Sequence, residues 1–142
     1  MKTLLIVLLL DPTIFAPAGV SYYAQKADWD TSQVFFQHGW VEANPSFTLS
    51  RQPFSAPISH KAGMRIINKW SVETLMWSSL HNTGSYILTA YLTSYQPNHK
   101  KLIKVISWSE RIIFASIITY YTSSAHFHQA SLNRKMAKEY GY

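Results

Sequence analysis

The chain has 142 residues, a length that points to one domain. Charged residues make up only 14%, against a usual share of about 25%, while aromatics reach 15% and the net charge is +6. This balance excludes disorder for most of the chain, and the absence of cysteine excludes disulfide scaffolds, thiolate metal sites and cysteine nucleophiles.

Residues 1–24 read as a signal peptide or an N-terminal anchor. Lys2 precedes an unbroken apolar run from Leu4 to Leu10, Pro12 and Pro17 are expected to break helix, and Ala18 and Ala24 are candidate cleavage positions. The run alone is too short to span a bilayer, which takes about 20 apolar residues. Prolonged to Val20 it reaches that length, with Asp11 at a costly depth.

Residues 25–125 read as a single helical domain. Asp28 or Asp30 is expected to cap a short helix whose body is Thr31 to His38, with Gly39 as its stop. Pro45, Pro53 and Pro57 make residues 43–59 an irregular connection. From His60 to Tyr95 there is no proline, and apolar residues recur at three- and four-residue steps, which predicts a helix. Lys61, Arg65 and Lys69 share one of its faces. Its second half, Met76 to Tyr95, carries no formal charge, and Gly84 marks a close helix approach or a break. Gln96-Pro97-Asn98-His99 is a turn. Leu102 to Tyr121 is the most apolar stretch after the leader, and its Glu110-Arg111 pair is acceptable only against other helices or the interface. Residues 126–142 read as a polar basic tail with Arg134, Lys135 and Lys138 on a solvated face.

The fold class that follows is all-α: a short capped helix plus a long helical hairpin, residues 76–95 and 103–123, membrane-embedded, after an N-terminal leader. Charge-free length and Tyr/Trp-rich flanks favour the membrane over a soluble exported bundle. The polar content of 76–95 implies a helix shielded by its neighbours. By the positive-inside rule Lys100, Lys101 and Lys104 favour a cytoplasmic hairpin turn, but the Lys and Arg of the C-terminal tail pull the other way, so both orientations stay open.

Asp28-x-x-Thr31, Gly39 and Glu42-Ala43-Asn44-Pro45, followed by Arg51-Gln52-Pro53, resemble a pattern in a family of small uncharacterised bacterial membrane proteins. Tyr91-Leu92, His99-x-Lys101-Leu102 and Glu110 resemble that family's later segments, in which a His-x-Lys-Leu loop joins two hydrophobic helices. The resemblance implies a membrane location and a helical architecture. It carries no activity, and the family usually has glycine where Trp40 stands.

Asp28 and Glu42 form a pair of carboxylates suited to acid–base work or cation binding if the Glu42 turn folds back. The structural reading is preferred: Asp28 caps, Thr31 completes the cap, and Glu42 accepts from the Asn44-Pro45 turn or pairs with Lys61. No catalytic residue and no cofactor are assigned. No metal site is assigned either, His81, His126 and His128 being weak candidates; His126 and His128 stand about 200° apart on a helix. The basic clusters suit anionic lipid headgroups, not nucleic acid, which calls for a denser stripe and a known module. The function expected is a small helical envelope protein, embedded in or attached to the inner membrane, structural or partner-binding, with membrane lipids and a protein partner or a second copy as its mates. The alternative is a soluble exported, periplasmic bundle that binds a ligand or a metal through its histidines.

Overall fold

The computed structural model describes residues 11–142, so the apolar run read as a leader lies outside the described residues. The described residues form three helices and no strand: α1, Pro12–Gln37; α2, His60–Tyr95; and α3, Lys100–Tyr140. The all-α expectation holds.

Helix α1 begins well before the expected start. Asp11 is its N-cap and accepts from the Thr13 N–H at 2.9 Å and the Thr13 hydroxyl at 2.7 Å. Pro12 stands at the first helical position, where a missing N–H would have had no partner anyway. Pro17 lies inside the helix and withholds one bond from Thr13 without ending it. Asp28 and Asp30 are therefore mid-helix residues and not caps. Thr31, expected to complete a cap, bonds back to the carbonyls of Ala27 and Asp28 at 2.8 and 3.0 Å. The helix is 26 residues long and continuous across residues 24 and 25.

Gly39 does end α1. It takes φ +82°, and the N–H groups of Gly39 and Trp40 reach back to the carbonyls of Phe36 and Phe35 at 3.1 Å each. The Phe35 and Trp40 rings pack across this turn, 5.2 Å apart. The connection to α2 folds on itself through paired bonds between Glu42 and Ser55 and through a single 3-10 turn, Pro45–Phe47. Asn44 caps that turn by accepting from the Ser46 N–H at 3.0 Å. Its product is Phe47, which is pushed into the bundle.

Ser59 caps α2, accepting from the Ala62 N–H at 3.3 Å. Gln96 to His99 is the turn, tightened by a 3-10 step over Pro97–His99. Gly84 neither breaks α2 nor meets a neighbour, since a Cβ there would have nothing within 4 Å. Helix α3 runs unbroken through residues 126–140, the segment read as a tail. Ala130 and Asn133 in it are buried, while Arg134, Lys135 and Lys138 are exposed.

Contacts fix the helix directions. Asp11 meets Arg111, Ser21 meets Thr122, and Ser32 meets Asn133, so α1 and α3 run the same way. Asp11 meets Asn82 and Trp29 meets His60, so α2 runs opposite to α1. An apolar core occupies one end of the bundle: Trp29, Phe47 and Ile67, with Phe36, Met64 and Trp70 packed on them.

Away from that end the usual polarity is inverted. Ser21, Gln25, Ser78, Asn82, Arg111, Ser123 and Asn133 are buried between helices. Met76, Trp77, Leu80, Ile87, Leu88, Val105, Ile106, Trp108 and Ile113 are all more than half exposed. Buried polar groups and a large exposed apolar surface are the informative departures from ordinary burial. Among the described residues, no helix is long and apolar enough to cross a membrane.

Candidate functional site

Two polar assemblies lie between the helices. The first joins all three at the start of α1. Arg111 Nε is 3.5 Å from Asp11 Oδ2, and both side chains are almost fully buried. Tyr86 donates its hydroxyl to the same carboxylate at 2.8 Å, and Asn82 donates to Thr13 Oγ1 at 2.6 Å. The Arg111 guanidinium lies over the Tyr86 ring, 4.1 Å from its centre, and donates to Ser107 Oγ at 2.9 Å. The Glu110-Arg111 pair is thus split: Arg111 points inward, and Glu110 faces the other side of the hairpin. There Glu110 accepts from Ser85 at 3.0 Å and lies 2.6 Å from His81 Nε2, off the line of a hydrogen bond.

The second assembly surrounds a cavity of about 430 Å³ between the C-terminal halves of α1 and α3 and the segment after Gly39. Its polar lining includes Gln25, Asp28, Glu42, Asn44, His126 and Asn133; Trp29, Phe35, Phe36, Trp40 and Phe47 form an aromatic side. No lysine or arginine lines it. The fold-back of the Glu42 turn, which any joint role of the two carboxylates requires, is present.

Asp28 holds α3 against α1. Its Oδ2 is 2.8 Å from His126 Nδ1, and Oδ1 accepts weakly from Asn133 at 3.5 Å. The same Asn133 amide reaches Thr31 Oγ1 at 3.2 Å and Ser32 Oγ at 3.0 Å, and Gln129 donates to Asn133 Oδ1 at 2.9 Å. Glu42 accepts from the Asn44 backbone N–H at 2.6 Å. Burial pushes the Glu42 carboxyl above the usual carboxylate range; the Asn44 N–H opposes this and the negative charge of Asp28 adds to it.

Of the residues singled out in the sequence, the structure brings Asp28, Thr31, Glu42, Asn44 and His126 to one place and leaves the others apart. Gly39 and Pro45 shape the chain around the cavity without lining it. Lys61 is exposed and pairs with no carboxylate among the described residues, so the Glu42–Lys61 pairing is not made. Its neighbour His60 reaches α1 instead, with Nε2 2.8 Å from Asp30 Oδ1, beside the Lys26–Asp30 ion pair. Burial alone would raise the Asp30 carboxyl, but the bonds from Lys26 and His60 bring it below its ordinary value. The three histidines do not assemble: His81 stacks on Phe114 with centroids 3.6 Å apart, His126 faces Asp28, and His128 is exposed. Among the described residues no group of three or more His, Cys, Asp or Glu is placed to hold a metal ion.

Sequence reasoning missed Gln25, Gln129 and Asn133. Their signal is a polar stripe: Ser21, Gln25, Asp28 and Ser32 on α1, and Thr122, His126, Gln129 and Asn133 on α3, each at steps of three and four. No family model, no curated protein and no solved structure matches this chain.

Proposed function

We propose that the chain is a small helical membrane protein of the cell envelope, seated in the inner membrane, that acts structurally or through a partner. The observation that carries this reading is the inverted part of the bundle: away from the Trp29–Phe47–Ile67 end, the helices meet through serine, threonine, asparagine and arginine and turn large apolar side chains outward. In water such a surface calls for a cover; in lipid it needs none, and interhelical hydrogen bonds serve as the glue.

Hydropathy and geometry are reconciled by the two faces of each helix. A running mean over α2 averages an apolar outer face with Ser78, Asn82, Ser85 and Thr89 on the inner one, so the segment scores low although its outer face is apolar. Residues 74–95 contain no Asp, Glu, Lys or Arg. At a rise of 1.5 Å per residue they extend for about 33 Å, near the ~30 Å of a hydrocarbon core. Lys61, Arg65 and Lys69 bracket this belt at one end and Lys100, Lys101 and Lys104 at the other, where anionic headgroups would meet them. The resemblance of the Asp28 to Pro45 block to small bacterial membrane proteins agrees with this reading.

Fractionation tests it. The protein should stay in the membrane pellet through alkaline carbonate washing and enter solution only with detergent. Release in soluble form by osmotic shock sinks the proposal. A sharp, detergent-free dimer or tetramer in sedimentation would then show that second copies cover the apolar belt instead of lipid.

A further inference from the structure

We propose that the loop of residues 49–54 docks on an anionic lipid surface, with Leu49 and Phe54 entering the headgroup layer and Arg51 meeting lipid phosphate. The inference rests on the membrane reading for the level at which this loop sits, and it adds a contact outside the charge-free belt. Its base is firmly held. Phe47 and Thr48 are buried, the Phe47 ring packs 4.8 Å from Trp29 and 5.4 Å from Trp70, and the Leu49 N–H donates to the Ala56 carbonyl at 2.9 Å.

Beyond that base every residue from Leu49 to Phe54 is exposed. Leu49 is 71% and Phe54 75% exposed, more than any other described Leu, Ile, Val, Met, Phe or Trp. Arg51 and Phe54 take φ +57° and +56°, in the left-handed region that a bulky side chain rarely adopts. A loop that needed only to turn would be eased by glycine at position 54. This one bears the strain and holds a phenyl ring outward, an arrangement that marks a working surface.

Charge identifies the occupant. Residues 43–72 carry Arg51, Lys61, Arg65 and Lys69 and no Asp or Glu. Of the neighbouring acids, Asp30 is matched by Lys26 and His60, Glu73 by Lys69, and Glu42 is turned onto the Asn44 N–H. Arg51, Lys61 and Arg65 therefore pair with no carboxylate among the described residues. Unmatched cations beside an exposed leucine and phenylalanine complement an anionic bilayer, which takes the apolar groups among its headgroups and the charges at its phosphates. A free anion would leave Leu49 and Phe54 uncovered. The level also fits. Phe47 anchors the loop beside Trp70, four residues before the charge-free stretch that starts at residue 74. At 1.5 Å per residue that is about 6 Å, within a headgroup layer.

The chain has no cysteine, so one introduced thiol takes a polarity-sensitive fluorophore alone. The full chain labelled at Phe54→Cys is reconstituted in vesicles of phosphatidylcholine, alone or with about 30% of the anionic phosphatidylglycerol. Blue-shifted emission is expected with the anionic vesicles. Water-like emission is expected with the neutral ones and at about 1 M salt, where charges are screened within about 3 Å. Leu49→Cys carries the label if Phe54→Cys does not fold. Added to labelled Leu49→Cys, Phe54→Gly and Arg51→Gln should each reduce the blue shift. Phe54→Gly should do so without lowering the melting temperature in detergent, since glycine adopts φ +56° without strain. A label at Ile87→Cys, in the charge-free belt, separates the two readings: it should be blue-shifted in both kinds of vesicle. A water-like label at residue 87 beside a blue-shifted one at 54 defeats the membrane crossing and supports the docking loop. Water-like emission at residue 54 in anionic vesicles, an equal shift in neutral ones, or a shift already present in neutral detergent, as a second copy would give, overturns the proposal.

Discussion

Glu42 is held where its ionisation is disfavoured, by burial first and by the negative charge of Asp28, against the Asn44 N–H that favours the charged form. With its carboxyl above the ordinary value of 4.5, the folded chain holds this proton more tightly than the unfolded chain does. Between those two values the native state binds more protons, so this residue's contribution to stability falls as pH rises through the window. Above the window the penalty is fully present; below 4.5 it is absent. Glu42→Gln keeps an acceptor for Asn44 and removes the charge. Its melting temperature in mild detergent should exceed the wild type's at pH 7, and the two should converge by about pH 3. A lower melting temperature for the variant at pH 7 would contradict this account of Glu42. Gly39 is a simpler case. At φ +82° a side chain is strained, so Gly39→Ala should destabilise by about 1 kcal/mol, read from the urea midpoint, and Gly39→Asn by less.

At the scale of elements, the close approach of α1 to α2 beside Trp29 depends on a glycine. A Cβ on Gly63 would collide with the Trp29 indole, which cannot retreat: it is buried, donates Nε1–H to the His60 carbonyl at 3.1 Å, and packs 4.8 Å from the Phe47 ring. Gly63→Ala should therefore destabilise by about 1–3 kcal/mol, with Trp29 shifted toward solvent-like fluorescence. Gly84→Ala is its control on the same helix. With nothing near, it should leave stability unchanged or raise it by up to about 1 kcal/mol. If both alanines acted alike, close packing at Gly63 would not be the cause. The end of α1 and the turn before α3 were legible because their signals are local, Gly39 and Gln96-Pro97 each acting within a few residues; the start of α2 was read only from where the prolines stop, and its Ser59 cap was not picked out. The start of α1 was misread because proline was taken as a breaker, whereas Asp11-Pro12 is a helix-starting pair. The cavity was half legible. Asp28, Glu42 and Asn44 stand in one sequence block, but His126 and Asn133 arrive from about a hundred residues away, and no local pattern announces such a meeting.

For the whole molecule, the inverted polarity places its highest-stakes contact at the start of α1. Asp11 ties α1 to α2 through Asn82 and Tyr86 and to α3 through Arg111. The sequence exposes the expense of a charge at that position but not its remedy, because the remedy is supplied by the other two helices. Both charged side chains are more than nine-tenths buried, so neither can turn to solvent if its mate is removed. Deleting one partner of such a pair typically costs about 3–5 kcal/mol, chiefly because the other is stranded, whereas replacing both can be close to neutral. Arg111→Met should accordingly produce a large loss, and Asp11→Asn added to it should restore most of that loss, since asparagine still caps α1 at Thr13 and still accepts from Tyr86. Unfolding in detergent for the two single variants and the double variant gives the coupling energy directly. A double variant as unstable as the sum of the singles would mean that Asp11 and Arg111 act separately, each through its own neutral partners such as Asn82, Tyr86 and Ser107.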